Sequence, residues 1–186
     1  MMKSQILCSL LLFGLAASDL EASTDQLFPE QISVAEQEFQ KLGEYRYVYR
    51  FFFNLYDAAL FVPKNKTGED VLQATTSFHL QFRYLREIDK NIILESADQM
   101  LEKNLSPAER KQIAERVDRI NLAYTTVRDG DMSSLTYQPG IGTTLKINGD
   151  PKLTIEGEDF ARLYFRIWLG PKAISTSLKD NLLGNI

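Results

Sequence analysis

The chain has one cysteine, one histidine and no long apolar run beyond its first 18 residues, and each shortage removes a class of function. Cys8 sits near the start of an apolar N-terminal stretch with most of the leucines after it. That is the place of a small apolar filler, not of the acylated cysteine of a lipoprotein. If the stretch is removed, no cysteine remains, which excludes disulfides, thiolate catalysis and cysteine metal sites. His79 is the sole histidine, and zinc chemistry usually draws on at least two nitrogen or sulfur ligands. There is no HExxH helix, no GxSxG nucleophile elbow, no Walker-type phosphate loop and no GxGxxG. No metal and no cofactor is expected. The 21 basic and 25 acidic residues form no basic patch interleaved with aromatics, so nucleic acid is not the expected partner.

The N-terminus carries an address. Lys3 is the only charge before Asp19, residues 6–17 are almost wholly apolar, and small residues follow at Ala16, Ala17 and Ser18. This is the layout of a secretory signal, with cleavage expected after Ser18 or as late as Ala22. The run is too short to span a bilayer, which takes about 20 apolar residues, and no stable membrane span is expected elsewhere. Residues 19–34 read as a tail and lead-in to the first strand, and residues 35–186 as one domain without repeats. A domain of this length can bury a real core, and 11% aromatics suit a large core or an apolar pocket.

Along the mature chain, strands are predicted at Ile32–Phe39, Tyr45–Phe53, Leu55–Val62 and Phe78–Tyr84, where aromatic and β-branched residues dominate. Two amphipathic helices follow. Asp89 caps the first, Lys90–Lys103, and Ser106-Pro107-Ala108-Glu109 opens the second with a capping-box signature. Strands return at Ser134–Gln138, Thr143–Asn148 and Lys152–Glu156, the last two joined by the hairpin turn Asn148-Gly149. Helices at Asp159–Leu169 and Thr176–Leu183 end the chain. The order predicts an α+β fold, a mostly antiparallel sheet with helices gathered on one face.

Candidate chemistry is sparse. Gly140-Ile141-Gly142 and Asp129-Gly130-Asp131 read as turns, and His79 as a solvated strand residue. Asp57, inside an apolar strand, marks a bulge or pairs with a nearby arginine. Arg46 among Tyr45, Tyr47, Tyr49 and Tyr56 has two readings. It holds a carboxylate at the mouth of an apolar cavity, the guanidinium donating two parallel hydrogen bonds, or it lies on a solvent-facing sheet surface.

The stretch LGEYRYVYRFFFNLYDAALFVP resembles the early strands of the chalcone isomerase-like superfamily. The run from Asp129 to Gly170 and the final SLKDNLLG resemble its bacterial secreted members, so the likeness spans roughly residues 35–184. It implies an open-faced β-sandwich with helices layered on a large antiparallel sheet. Family catalysts close a flavanone ring with an early-strand arginine, a threonine, and a helical tyrosine, lysine and asparagine. Other members bind fatty acids with the arginine and a tyrosine in the threonine's place. Arg46 matches the arginine and Tyr56 the tyrosine, whereas the helical trio has no clear counterpart in DKNIILES (89–96). The resemblance therefore implies an exported, periplasmic or secreted, non-catalytic protein that binds a carboxylate-bearing apolar ligand such as a fatty acid through Arg46 and Tyr56. The alternatives are a ring-closing isomerase or lyase acting on a conjugated carbonyl compound, and a ligand-free envelope interaction module.

Overall fold

The computed structural model describes residues 26–50 and 52–184, so the proposed signal at residues 1–18 lies outside the described residues. Seven strands follow one another as nearest neighbours in a single sheet: β1 Gln31–Val34, β2 Gln37–Tyr49, β3 Phe53–Val62, β4 Phe78–Tyr84, β5 Met132–Gln138, β6 Gly142–Ile147 and β7 Asp150–Ile155. Every pairing is antiparallel. Among the described residues six helices accompany them: α1 Gly68–Leu72, α2 Lys90–Asn104, α3 Pro107–Ala123, α4 Glu158–Tyr164, α5 Arg166–Leu169 and α6 Thr176–Leu182. This is the predicted α+β architecture. Among the described residues no helix is long and apolar enough to cross a membrane.

Local chemistry explains most of these elements. Asp89 caps α2 through its side chain, and Ser106 and Glu109 close the reciprocal capping box of α3 with Pro107 in its first turn. Asn148 and Gly149 both take positive φ, the two-residue turn that matches the twist of the flanking strands. Three expectations change. The strand read at Ile32–Phe39 is a hairpin, because Ala35 and Glu36 also adopt positive φ and fold β1 back on β2. The break near Asn54 falls earlier, between the end of β2 at Tyr49 and the start of β3 at Phe53. The helix read at Asp159–Leu169 is divided at Phe165, where the backbone tightens and the Trp168 N–H bonds the Phe165 carbonyl.

The two sheet faces differ in kind. Alternation along β3 sends Tyr56, Ala58, Leu60 and Val62 toward the helices, into a core shared with β4–β6 and the apolar sides of α2–α6. Ala59 and Phe61 point the other way, where Phe28, Phe39, Leu27, Ile32 and Val34 form a smaller second core. The N-terminal lead-in is thus packed from residue 27 on. The Leu27 and Phe28 amides donate to the Glu44 carboxylate, and Lys41 Nζ donates to the Phe28 carbonyl. Gly43 on β2 lets α6 approach: a Cβ there would overlap the Asn181 carbonyl.

His79 belongs to the second face and is not solvated as expected. It is 6% exposed, with Nδ1 2.7 Å from Thr136 Oγ1 and its ring beside Phe61. Burial, reinforced by the nearby Lys146 cation and only partly countered by Gln81, lowers its pKa to about 4. The fold therefore holds the imidazole neutral, while the unfolded chain takes up a proton near pH 6.5. Stability from this group is complete above pH 6.5 and drains away as pH falls toward 4, by roughly 3 kcal/mol at most. Urea titrations at pH 7.5 and pH 4.5 should show His79→Gln losing less stability on acidification than the wild type; equal losses would rule out His79 as the cause.

Candidate functional site

The structure does not bring Arg46 and Tyr56 together. Residues directly opposite in an antiparallel pair share a face, and here Arg46 lies opposite Asp57 while Tyr47 lies opposite Tyr56. Arg46 therefore projects from the face away from the helices. Its Nε and Nη2 hold the two Asp57 oxygens at 2.7 and 3.1 Å, and Arg83 Nη2, from the neighbouring strand, reaches Asp57 Oδ2 at 2.6 Å. The Asp57 side chain is fully buried between two half-exposed arginines. Burial pushes its pKa up, but the hydrogen bonds and charges of Arg46 and Arg83 outweigh this and hold it below the usual carboxylate range. Of the two readings of Asp57, the arginine pair is the one observed.

Tyr56 stands on the other side, in a cavity of about 110 Å³ between the sheet and the helices. Tyr47, Tyr56, Phe82, Tyr84 and Ser133 form its floor, Ile93, Leu94 and Ala97 of α2 its roof, and Tyr164, Ile167 and Trp168 its rear wall. The aromatic rings brace one another: Tyr56 packs edge-on to Phe82, and Trp168 lies 5.3 Å from Phe82 and 5.9 Å from Tyr164. Most hydroxyls have partners. Tyr84 Oη is 3.0 Å from Ser133 Oγ, and Tyr124 and Tyr164 share a hydrogen bond. Tyr56 Oη is buried with no hydrogen-bond partner among the described residues. Burial raises the Tyr56 pKa well above its ordinary value, so it is a donor at physiological pH.

Beyond the cavity an open groove of about 660 Å³ shares Tyr47, Leu55, Ile88, Ile92, Ser96 and Ile174 with it and continues past Phe53 and Tyr49. Among the described residues no charged side chain lines the cavity, and charge first appears in the groove, at Arg86, Glu87 and Glu95. From the segment 89–96, the cavity takes Ile92, Ile93, Leu94 and Ser96; Lys90 turns to the Leu122 carbonyl.

A family model described as chalcone isomerase-like matches residues 22–184. The chain belongs to this chalcone isomerase-like family. No curated protein matches by sequence. Among solved structures, that of a fatty-acid binding protein from Arabidopsis thaliana superposes with a TM-score of 0.62 at 13% identity, over 85% of this chain and 91% of that one. At that identity the likeness shows the shared fold. Within the family frame, the residue opposite Tyr56 is a tyrosine, Tyr47, and the cavity wall also uses Tyr84, Tyr124, Tyr164 and Trp168, which the sequence did not single out as site residues. Their signal was present for the strand residues: Phe82 and Tyr84 share the parity of the apolar face of β4.

Proposed function

We propose that the protein is an exported, non-catalytic binding protein for a carboxyl-bearing apolar ligand of the fatty-acid class. The carboxyl group sits at Tyr56 and the chain runs out along the groove toward Phe53. One observation carries the reading: an apolar cavity whose buried tyrosine hydroxyl has no acceptor among the described residues. A hydroxyl buried in that state costs about 1–3 kcal/mol, which a ligand oxygen offsets. The fatty-acid binding protein of the same fold supports the choice of ligand class. Export rests on the signal layout of residues 1–18.

The lining also sets the ligand's charge state. With no cation among the described residues that line the cavity, a bare carboxylate loses its hydration without a counter-charge. The carboxyl group therefore enters as the neutral acid, accepting from Tyr56. The cavity itself takes only the head and a few carbons, and each methylene buried in the groove contributes roughly 0.8 kcal/mol.

Native mass spectrometry of protein recovered from exporting cells should reveal a bound mass in the fatty-acid range. After delipidation, fluorescence titration with cis-parinaric acid should give an affinity weakened about tenfold in Tyr56→Phe, as for one lost hydrogen bond. Above the free acid's pKa that affinity should fall by about tenfold per pH unit, while an alcohol of equal chain length binds independently of pH. An empty protein that takes up neither probe overturns the assignment. Acid binding that ignores both pH and the Tyr56→Phe change overturns the neutral-head geometry.

A further inference from the structure

Seven large hydrophobic side chains are exposed among the described residues: Val48, Tyr49, Phe52, Phe53, Ile92, Leu122 and Ile141. Six of them gather at one end of the molecule. Val48, Tyr49, Phe52 and Phe53 make the tip of the β2–β3 hairpin, with Phe52 85% exposed. Ile92 lines the groove together with Tyr49 and Phe53, and Leu122 is tied to the same end by the hydrogen bond from Lys90 Nζ to its carbonyl. Contiguous exposed apolar surface of this kind marks an interaction site.

The charges around the tip specify the partner. Arg50 lies over the Tyr49 ring at 5.3 Å and Arg86 over the Phe53 ring at 4.9 Å, so each guanidinium rides on an aromatic face beside the exposed apolar groups. Lys90 adds a third cation. Of the acids at this end of the sheet, Glu87 pairs with Arg128, Asp89 caps α2 and Asp131 accepts from the Arg128 amide and the Asn148 side chain, while Glu95 lies in the groove and Asp129 is exposed in the turn before β5. Aromatic rings that enter the acyl boundary, ringed by arginines at headgroup level, match the chemistry of an anionic lipid surface.

We propose that the β2–β3 tip docks on an anionic lipid bilayer and that the groove opens against it, so that an acyl ligand passes between membrane and cavity without crossing water. The docking surface stands on its own geometry; the transfer route rests on the acyl-binding reading above. Docking covers the exposed aromatic residues, Tyr49 and Phe53, at which the groove ends.

Ile141 supplies an internal control. It is exposed but lies in the β5–β6 turn, at the opposite end of the sheet from the tip. In a Cys8→Ser background, an environment-sensitive nitrobenzoxadiazole label is placed on Phe52→Cys or on Ile141→Cys. Both positions are exposed, so the fold tolerates the change. With phosphatidylcholine vesicles containing 30% phosphatidylglycerol, the label at position 52 should brighten several-fold and shift to the blue, and the label at 141 should not change. Half a molar salt or pure phosphatidylcholine should weaken the response at least fivefold. A label at 52 that stays in water, or one that responds no more than the label at 141, overturns the docking proposal and turns the tip toward a protein partner. Parinaric acid binding by Phe52→Ser in vesicle-free buffer reports on the cavity alone, so failure of docking and failure of ligand binding are read separately.

Discussion

Asp57→Ala should lower the unfolding free energy by about 3 kcal/mol, the lower end of what removing one member of a buried ion pair costs. The side chain is fully buried and is the shared acceptor for guanidiniums from two strands, Arg46 of β2 and Arg83 of β4. Without it, two cations face each other across β3. Their partial exposure lets water recover some of that loss, which is why the upper end of the range is not expected. Arg46→Ala should cost less, because Arg83 still pairs with Asp57. Denaturant melts of both variants measure the effect, and ligand titration gives it functional meaning. Arg46 lies on the face opposite the cavity, so Arg46→Ala should leave the affinity for the acyl probe within about twofold of wild type. A selective loss of binding in that variant, with the fold intact, would restore the arginine to the ligand site.

Ala97→Phe should abolish ligand binding, by a hundredfold or more, with little effect on the fold. Ala97 lies in the roof of the cavity, on α2, facing Tyr56 and Trp168 across a space of about 110 Å³. This space is smaller than the apolar cavity of about 150 Å³ that holds a benzene, so a phenyl ring grown from position 97 fills it and leaves the ligand's head no room. Growing into a pre-existing space limits the strain that inserting atoms into a close-packed core would cause. Parinaric acid titration beside a thermal melt checks both halves. Undiminished binding would place the ligand elsewhere, the charged groove around Arg162 and Lys179 being the next surface to probe.

Much of the fold was legible because its signals are local. Asp89, the Ser106–Glu109 box and Asn148-Gly149 announce themselves within four residues, and β4 shows a clean two-residue period between its buried core face and the face carrying His79, Gln81 and Arg83. The β1–β2 turn was not legible, since neither Ala35 nor Glu36 is a residue that usually takes positive φ. Nor was α1, which spans only five residues. The separation of Arg46 from Tyr56 was not legible for a related reason. Family likeness set Arg46 beside Tyr56, but face is decided by register, and register depends on the exact length of the hairpin and on the extra residue Leu55 in β3. Parity carried a warning in the sequence: Tyr56 and Asp57 are adjacent, so an arginine paired with one cannot share a face with the other. His79 looked solvated because the second face has its own cover, supplied by residues that read as a tail.

Because sheet order equals chain order, every strand meets its partner in the one made just before it. The closure cost of each pairing is set by a short connection, except where α1 intervenes before β4 and α2 and α3 before β5. The sheet can therefore form hairpin by hairpin from its N-terminal strand onward. The helix α6 differs in kind, because it must come back across more than a hundred residues to seat its carbonyls against Gly43. A chain cut short before residue 176 would have a finished sheet and an unlatched second strand.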